Sequence, residues 1–446
     1  MEEHAPSKSE HNVTATGTES NSSQTVPPTI PPPHLYAHSF FSTTARPIRR
    51  SLLSGLVVPV FLNGLLMWAC LALFFGSLLK TNDVRKIGVS VVNLDDGFVG
   101  EGVVEGVRGS LNGAGPHLRW RFGGGDAREI VVDEKDWAVV EVSADASANL
   151  MEALQQGNET YNPLSAVTLF FASARNQVLT GSVAIPAIMG TVNPILAQIA
   201  ANSTATYLAS IANDTSALTR ALRCPQCLSS PLAIQSVDLI PFNNPQAFGL
   251  LNTGCIFLLT FTFNVFIILR GTAETYGHIL SLPSHLAFRT LASSTSYLFL
   301  SLTYTLIILA FSVPLTAHFS SRGAGFMVLW MLNWFTMGAC GLVMEAVDTV
   351  IGMQWAPFFL NVWLIVNASA GFGAFEMMVG FYEYGWATPF VHCIQASRTI
   401  VFGTKSHLGL NFGVLAAWIV GGLVGVYGVT WWKVREGLRK GRHMVS

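Results

Sequence analysis

Six stretches of the chain, near residues 52–79, 248–269, 291–313, 326–344, 355–377 and 411–432, are apolar almost without interruption. A helix needs roughly 20 such residues to cross about 30 Å of hydrocarbon, so each run predicts a transmembrane helix. The pattern between the first and second runs is different. In KIGVSVVNLDDG (86–97), Val89, Val91 and Leu94 lie among small and polar neighbours, which predicts a strand over about 86–92 followed by a turn. In DWAVVEVSADASANL (136–150), Trp137, Val139 and Glu141 alternate with Ala138, Val140 and Val142, a second strand, and a helix is expected to start near Ser143. Ile195 and Ile199, then Leu208 and Ile211, recur at helical spacing, while Pro163, Pro186 and Pro194 interrupt the segment 145–222. Several helices packed on a small sheet follow from this. The predicted fold class is a polytopic α-helical membrane protein, with six transmembrane helices and an α/β extracytoplasmic domain between helices 1 and 2.

Composition supports the membrane assignment. Half of the residues are hydrophobic and 11% are charged, and the mean hydropathy is +0.45. Many of the 29 phenylalanines and 11 tryptophans fall near the ends of the apolar runs, as in interfacial belts. A formal net charge of −1 argues against a nucleic-acid partner, which calls for a concentrated basic face. Residues 1–45 are rich in Ser, Thr and Pro, with PPTIPPP at 27–33, and cannot bury enough surface to offset chain entropy. They are expected to form a disordered cytoplasmic tail, since no apolar core of a signal peptide follows Met1.

Basic clusters set the orientation. RPIRR (46–50) and KVREGLRKGR (433–442) flank the first and last runs, and Arg270, His278, His285 and Arg289 lie in the loop after the second. The positive-inside rule makes all three cytoplasmic, although the acidic loop 345–354 adds nothing. The expected domains are therefore a tail (1–45), a first transmembrane helix (46–79), a glycosylated extracytoplasmic α/β domain (80–247), a five-helix membrane domain (248–432) and a basic cytoplasmic tail (433–446) that attracts anionic lipids. Acceptor sequons begin at Asn158, Asn202 and Asn213, all on the far side. Asn12 and Asn21 head sequons in the cytosolic tail, and Asn367 heads one within a span, where no modification is expected.

Catalytic motifs are missing from the sequence: there is no Walker A loop, HExxH, nucleophile elbow or aspartyl-phosphate loop. The expectation is a protein that is not an enzyme and has no cofactor or metal, so ATP-driven activity would require a separate subunit. Cys224 and Cys227, in RCPQC, form a local disulfide in an oxidising compartment. A redox pair and a zinc site are the alternatives, but no thioredoxin-like strand precedes the motif and no further ligands stand at finger spacing. Cys70, Cys255 and Cys340 fall in apolar runs as packing residues, and Cys393 is placed in a far-side loop. Asn93, Asp95 and Asp96 suit a turn, with Gly97 taking a positive φ. The adjacent acids also raise divalent-metal chemistry, for which the ligand number is too small. Glu274 and His278 stand one helical turn apart, as a zinc pair or as an i,i+4 contact in a short interfacial helix.

Acidic residues near the spans form the last group. Glu345 and Asp348 end the fourth span, Glu376 ends the fifth and Glu383 follows; charges at membrane depth mark a pathway, whereas at the interface they are merely hydrated. Arg398 is a candidate partner for Glu376 or Glu383 within 378–403, a segment too polar for a simple span. Gly421, Gly422, Gly425 and Gly428 permit close helix approach, within the chain or across a dimer.

The order of a first span, VVNLDDG, WAVVEVSADAS, a helical region and five clustered spans resembles bacterial YhgE/Pip-type membrane proteins and the ABC-2-type permease class. With IQSVDLIPFNNPQAFGLLNTG (234–254) and TPFVHCIQASRTIVFG (388–403), it is most similar to the fungal nitrosoguanidine-resistance family (DUF3533), over about residues 50–435. The resemblance implies a structural turn at Asn93, Asp95 and Gly97 that closes the first hairpin of the far-side domain. It also implies a docking surface in the first cytosolic loop and a segment 378–403 that dips back into the membrane. The function it implies is transport or export of amphiphiles, lipids or toxic compounds, with a contribution to drug resistance. A non-transporting scaffold or receptor that regulates lipid distribution through its extracytoplasmic domain is the alternative. The expected partners are membrane lipids and either a separate ATPase subunit or a second copy of the chain. The expected location is the plasma membrane or another secretory-pathway membrane, with both termini cytoplasmic.

Overall fold

A computed structural model of the protein describes residues 39–77, 84–113, 117–276 and 279–443. Most of the expected tail 1–45, and His278 of the Glu274–His278 pair, therefore lie outside the described residues. By its internal contacts the chain divides into two units, 1–62 and 63–446. The described part of the first unit is a turn over residues 39–45, closed by Arg49 Nη1 donating to the Phe40 carbonyl at 3.1 Å, and the opening of helix α1 (Arg46–Ser77). Leu52, Leu56, Val57, Val58 and Phe61 are all exposed. An apolar helix that buries none of its most apolar stretch has lipid as its natural solvent.

The second unit carries a lobe built on one five-stranded sheet in the order β2–β1–β3–β4–β5. The strands are β1 (Gly88–Asn93), β2 (Arg119–Phe122), β3 (Ala138–Val142), β4 (Val167–Phe171) and β5 (Ile234–Asp238). β1 pairs in parallel with both β2 and β3, β3 pairs antiparallel with β4, and β4 pairs in parallel with β5. The expected first hairpin is thus replaced by a crossover. The turn after β1 feeds α2 (Phe98–Ser110), and the chain returns through β2 and α3 (Ala127–Val132) to β3. The pattern of β1 gives the reason: Val89, Val91 and Val92 are all buried, as in a central parallel strand covered on both faces.

α4 (Ala146–Gln156) follows β3. A three-residue α5 (Gln177–Leu179) passes through a π-helical turn (Thr180–Ala184) into α6 (Ile185–Ser210). One face of the sheet packs with α2, α4 and α6 in a core containing Val91, Val103, Leu150, Leu169, Ile188, Val192 and Leu196. The other face holds a smaller cluster with Ala127 and Val131 of α3 against Val92, Val139 and Phe170. Short helices α7 (Thr215–Ala221) and α8 (Pro225–Ser229) finish the lobe before β5.

A four-residue α9 (Gln246–Gly249) enters α10 (Cys255–Tyr276) through a second π-helical turn (Leu250–Gly254). α11 (Leu282–Ala310), α12 (Arg322–Ile351), α13 (Ala356–Gly371), α14 (Pro389–Phe402) and α15 (Leu408–His443) complete the chain. α12 is the central element, in contact with α10, α11, α13, α14 and α15. A Cβ on Gly422 or Gly425 of α15 would meet Leu342 or Ala346 of α12, whereas Gly421 and Gly428 face away from the packed side. The glycine run thus brings α15 against α12 within one chain.

Among the described residues, six helical stretches are long and apolar enough to cross a membrane: Arg46–Ser77, Gln177–Ser210, Gln246–Ala273, Leu282–Ala310, Arg322–Ile351 and Leu408–Glu436. This set differs from the expected one in two places. Gln177–Ser210, expected as lobe helix, meets the length and composition of a span, yet its Ile188, Val192, Leu196 and Tyr207 are spent on the lobe core. The run 355–377 yields only the 16-residue α13, shorter than a perpendicular crossing requires. Short 3₁₀ turns (Phe375–Met377 and Gly380–Ala387) link it to the 14-residue α14.

Candidate functional site

The acidic turn after β1 serves its own backbone. Asn93 Oδ1 accepts from the Asp95 N–H at 3.0 Å. The buried Asp95 accepts from the Ser147 N–H (3.1 Å), the Ser147 hydroxyl (2.6 Å) and the Gly100 N–H (3.0 Å). The Ser147 hydroxyl in turn accepts from the Val99 N–H at 2.9 Å. Burial pushes the Asp95 carboxyl up, but these donors together outweigh it and hold the group below its ordinary range. The carboxylate pins the start of α2 to the start of α4. Gly97 has φ −112 rather than the expected positive value; its lack of a side chain matters because a Cβ there would meet Ser147. Among the described residues, no group of three or more His, Cys, Asp or Glu side chains could hold a metal ion.

Glu345 and Asp348 are buried within a compact charge cluster. Arg289 Nε lies 2.7 Å from Glu345 Oε1, its Nη2 donates to the Thr349 hydroxyl at 3.4 Å, and Arg270 Nε lies 3.1 Å from Asp348 Oδ2. Arg289 is inside α11, not in the loop, and the pairs tie α10, α11 and α12 together. Removing one partner of such a pair typically costs about 3–5 kcal/mol, because the other charge stays buried.

Glu376, Glu383 and Arg398 separate. Glu383 is exposed and stands 3.9 Å from Lys86. Glu376 Oε1 is 4.0 Å from Arg175 Nη2. Arg398 Nη1 donates to the Arg175 carbonyl at 2.8 Å, so it meets a backbone oxygen where the sequence led us to expect a carboxylate. Glu376 and Arg398 nevertheless line one cavity of about 370 Å³, together with Glu134, Trp137, Arg175, Trp386, Lys405 and His407.

The lobe and the α13–α14 pair build this cavity jointly. The turn Ser173–Arg175 at the end of β4 is anchored by its Ser173 N–H and hydroxyl to Asp238 of β5. Asn176 then caps the next turn by accepting from the Leu179 N–H at 3.0 Å. Arg175 lies over the Trp137 ring, 3.7 Å from its centroid, donates to the Asp136 carbonyl at 3.1 Å and approaches Glu134 at 3.7 Å. Burial holds the Arg175 guanidinium below its ordinary value, and Glu134, Glu376 and Asp136 offset this only in part. Glu134 has φ +56, a left-handed conformation that costs a non-glycine residue about 1–3 kcal/mol and is often met at functional sites. On the side opposite the lobe, Phe375 and Trp386 stack at 4.7 Å, and Val391, Ile394 and Leu410 add apolar wall. A charged rim over an aromatic and aliphatic wall can hold a molecule with one polar and one apolar end.

Sequence reasoning singled out Glu376 and Arg398 but missed Arg175, Glu134, Trp386 and Lys405 as site members. They come from four separate loops, and no spacing in the chain joins them. The remaining candidates are distributed over the lobe. Cys224 and Cys227 are joined by a disulfide with Cα atoms 5.3 Å apart. Asn158, Asn202 and Asn213 are exposed, with Asn158 Oδ1 engaged by the Thr160 N–H and hydroxyl. Cys393 is buried in α14, not in a loop. Asn367 is fully buried and donates to the Trp363 carbonyl at 2.9 Å.

Comparison with known proteins gives a family but no described activity. An uncharacterized endoplasmic reticulum membrane protein of Saccharomyces cerevisiae is 27% identical over 308 residues, covering 65% of this chain and 58% of the relative. The match thus spans less than two thirds of that relative's length. No solved structure matches. The family described as "Protein of unknown function (DUF3533)" matches residues 59–424, which include the sheet lobe, the α13–α14 pair and the cavity between them, and the chain belongs to that family.

Proposed function

We propose that this is a membrane protein of transport class that takes up an amphiphile at the junction of lobe and membrane helices and moves or exports it. The observation that carries this reading is the cavity itself, which sets the charged Glu134, Arg175, Glu376, Arg398 and Lys405 beside aromatic and aliphatic wall from Trp137, Phe375, Trp386, Val391 and Ile394. The pair of short helices α13 and α14 supports a re-entrant arrangement, because backbone that breaks at membrane depth is tolerated only inside protein or beside a polar cavity. In this reading the lobe faces the lumen or exterior and both termini the cytosol. The membrane is one of the secretory pathway, in keeping with the endoplasmic reticulum location in the yeast relative's description. The relation to ABC-2 permeases, the contribution to drug resistance and the docking of an ATPase at the α10–α11 connection belong to the same proposal.

A second reading, a non-transporting scaffold or receptor that regulates lipid distribution, draws on a groove of about 940 Å³ between α6 and residues 228–234 of the lobe. The two readings place ligand contact differently. A photoreactive amino acid at Trp386 should crosslink a clickable phospholipid in membranes, and one at Leu208 in the lobe groove should not. Capture at Leu208 alone would move the proposal to the scaffold.

A further inference from the structure

The charges of the junction cavity do not balance, and we infer from this that the polar end of its ligand is a phosphate-type anion carried by a lipid. The inference rests on the amphiphile reading above and specifies its headgroup. The two carboxylates on the cavity, Glu134 and Glu376, both flank Arg175, at 3.7 and 4.0 Å. The other two cations donate to carbonyl oxygens, Arg398 Nη1 to that of Arg175 and the exposed Lys405 Nζ to that of Asp133, each at 2.8 Å, and Glu134 acts on Arg398 only through space. Among the described residues, neither has a carboxylate within ion-pairing distance. Arg398 Nε is buried and, among the described residues, has no hydrogen-bond acceptor.

A carbonyl dipole does not neutralise a guanidinium or an ammonium, and a buried N–H left without an acceptor is an unmet interaction. An anionic oxygen in the cavity would supply the acceptor and the compensating charge together. Arg and Lys converging on one cavity suit a phosphate, the Arg by its planar fork and the Lys as a point charge. Three cations face two carboxylates in the cavity, and a cationic amphiphile would add to that positive excess. About 370 Å³ lies at the small end of ligand pockets and accommodates a headgroup and the start of its chains. Trp386, which lines the cavity and is also half exposed, offers surface along which acyl chains would continue.

The test uses the full-length protein in a non-ionic detergent, with bound ligand counted by native mass spectrometry. The probes are dioctanoyl phosphatidate, dioctanoyl phosphatidylcholine and inorganic phosphate. The expected result is that phosphatidate binds at least tenfold more tightly than phosphatidylcholine or inorganic phosphate. Arg398→Gln, and independently the exposed Lys405→Gln should Arg398→Gln fail to fold, should each remove about tenfold of phosphatidate affinity and leave phosphatidylcholine unchanged. Equal affinity for the two lipids, with both variants unaltered, overturns the headgroup inference but leaves an amphiphile site. Inorganic phosphate binding as tightly as phosphatidate overturns the lipid as the source of the anion. Binding of neither lipid overturns this inference and the amphiphile reading together.

Discussion

Asp95 shows how one side chain can organise the lobe. Its two oxygens take donors from Ser147 and Gly100, and so join the loop after β1 to the start of α4, 52 residues further on. Because its folded carboxyl is held below the ordinary value, the unfolded chain binds its proton at a higher pH than the folded one does. The contribution to stability is therefore complete above the ordinary carboxylate range and is lost as pH falls through the folded value. Asp95→Asn should destabilise the lobe by about 1–3 kcal/mol at neutral pH and flatten the acid limb of its stability profile. Thermal unfolding of wild type and variant between pH 3 and 7 checks this, and parallel acid limbs would contradict it. The turn chemistry of Asn93 and Asp95 was legible in the sequence because Asx side chains act locally. Ser147 as the partner was not, since nothing local links positions 95 and 147. The same applies at the cavity. Glu376 and Arg398 drew notice as charges beside apolar runs, but their actual partners, Arg175 and its carbonyl, are brought there by the tertiary fold.

Periodicity and length identify elements well where one environment surrounds the whole element, and poorly where two compete. α1, α10, α11, α12 and α15 stand as long helices where the apolar runs predict them, because each run is long enough to specify a helix by itself. The β1 and β3 strands are equally plain, yet their pairing is parallel rather than a hairpin, a property set by α2 and β2 and not by either strand. α6 and α13 show the limit. α6 is apolar enough for a membrane but buries Ile188, Val192 and Leu196 against the sheet; α13 lies in a run of adequate length, but the run breaks after Gly371. If α6 belongs to the lobe on the far side, Asn202 on its exposed face should carry a glycan, as should Asn158 or Asn213. Gel mobility of single-sequon variants before and after glycosidase, in protein from a eukaryotic host, reads this directly. A glycan at Asn158 and Asn213 with none at Asn202 fits the lobe poorly, and none at any of the three contradicts the orientation.

The whole molecule joins two kinds of chemistry at one seam. The lobe supplies Glu134 and Trp137 just before β3 and Arg175 just after β4, at one end of two interior strands, and the segment from α13 to α14, packed on α12, supplies Glu376, Trp386 and Arg398. The charge cluster of Arg270, Arg289, Glu345 and Asp348 does not line the junction cavity, and its ion pairs tie three helices together. Composition sufficed to place the protein in a membrane; only the tertiary structure brings its charged loops to one cavity. The most direct test of the central claim is the movement of fluorescent phospholipid across the membrane of cells lacking, containing or overproducing the protein, with a cationic dye as control. The account predicts lipid flux that follows dosage within minutes at constant lipid composition, falls several-fold in Glu376→Gln protein present at normal level, and leaves the dye unaffected. Flux independent of dosage, with drug sensitivity altered all the same, would contradict transport and make the lobe the working part of the molecule.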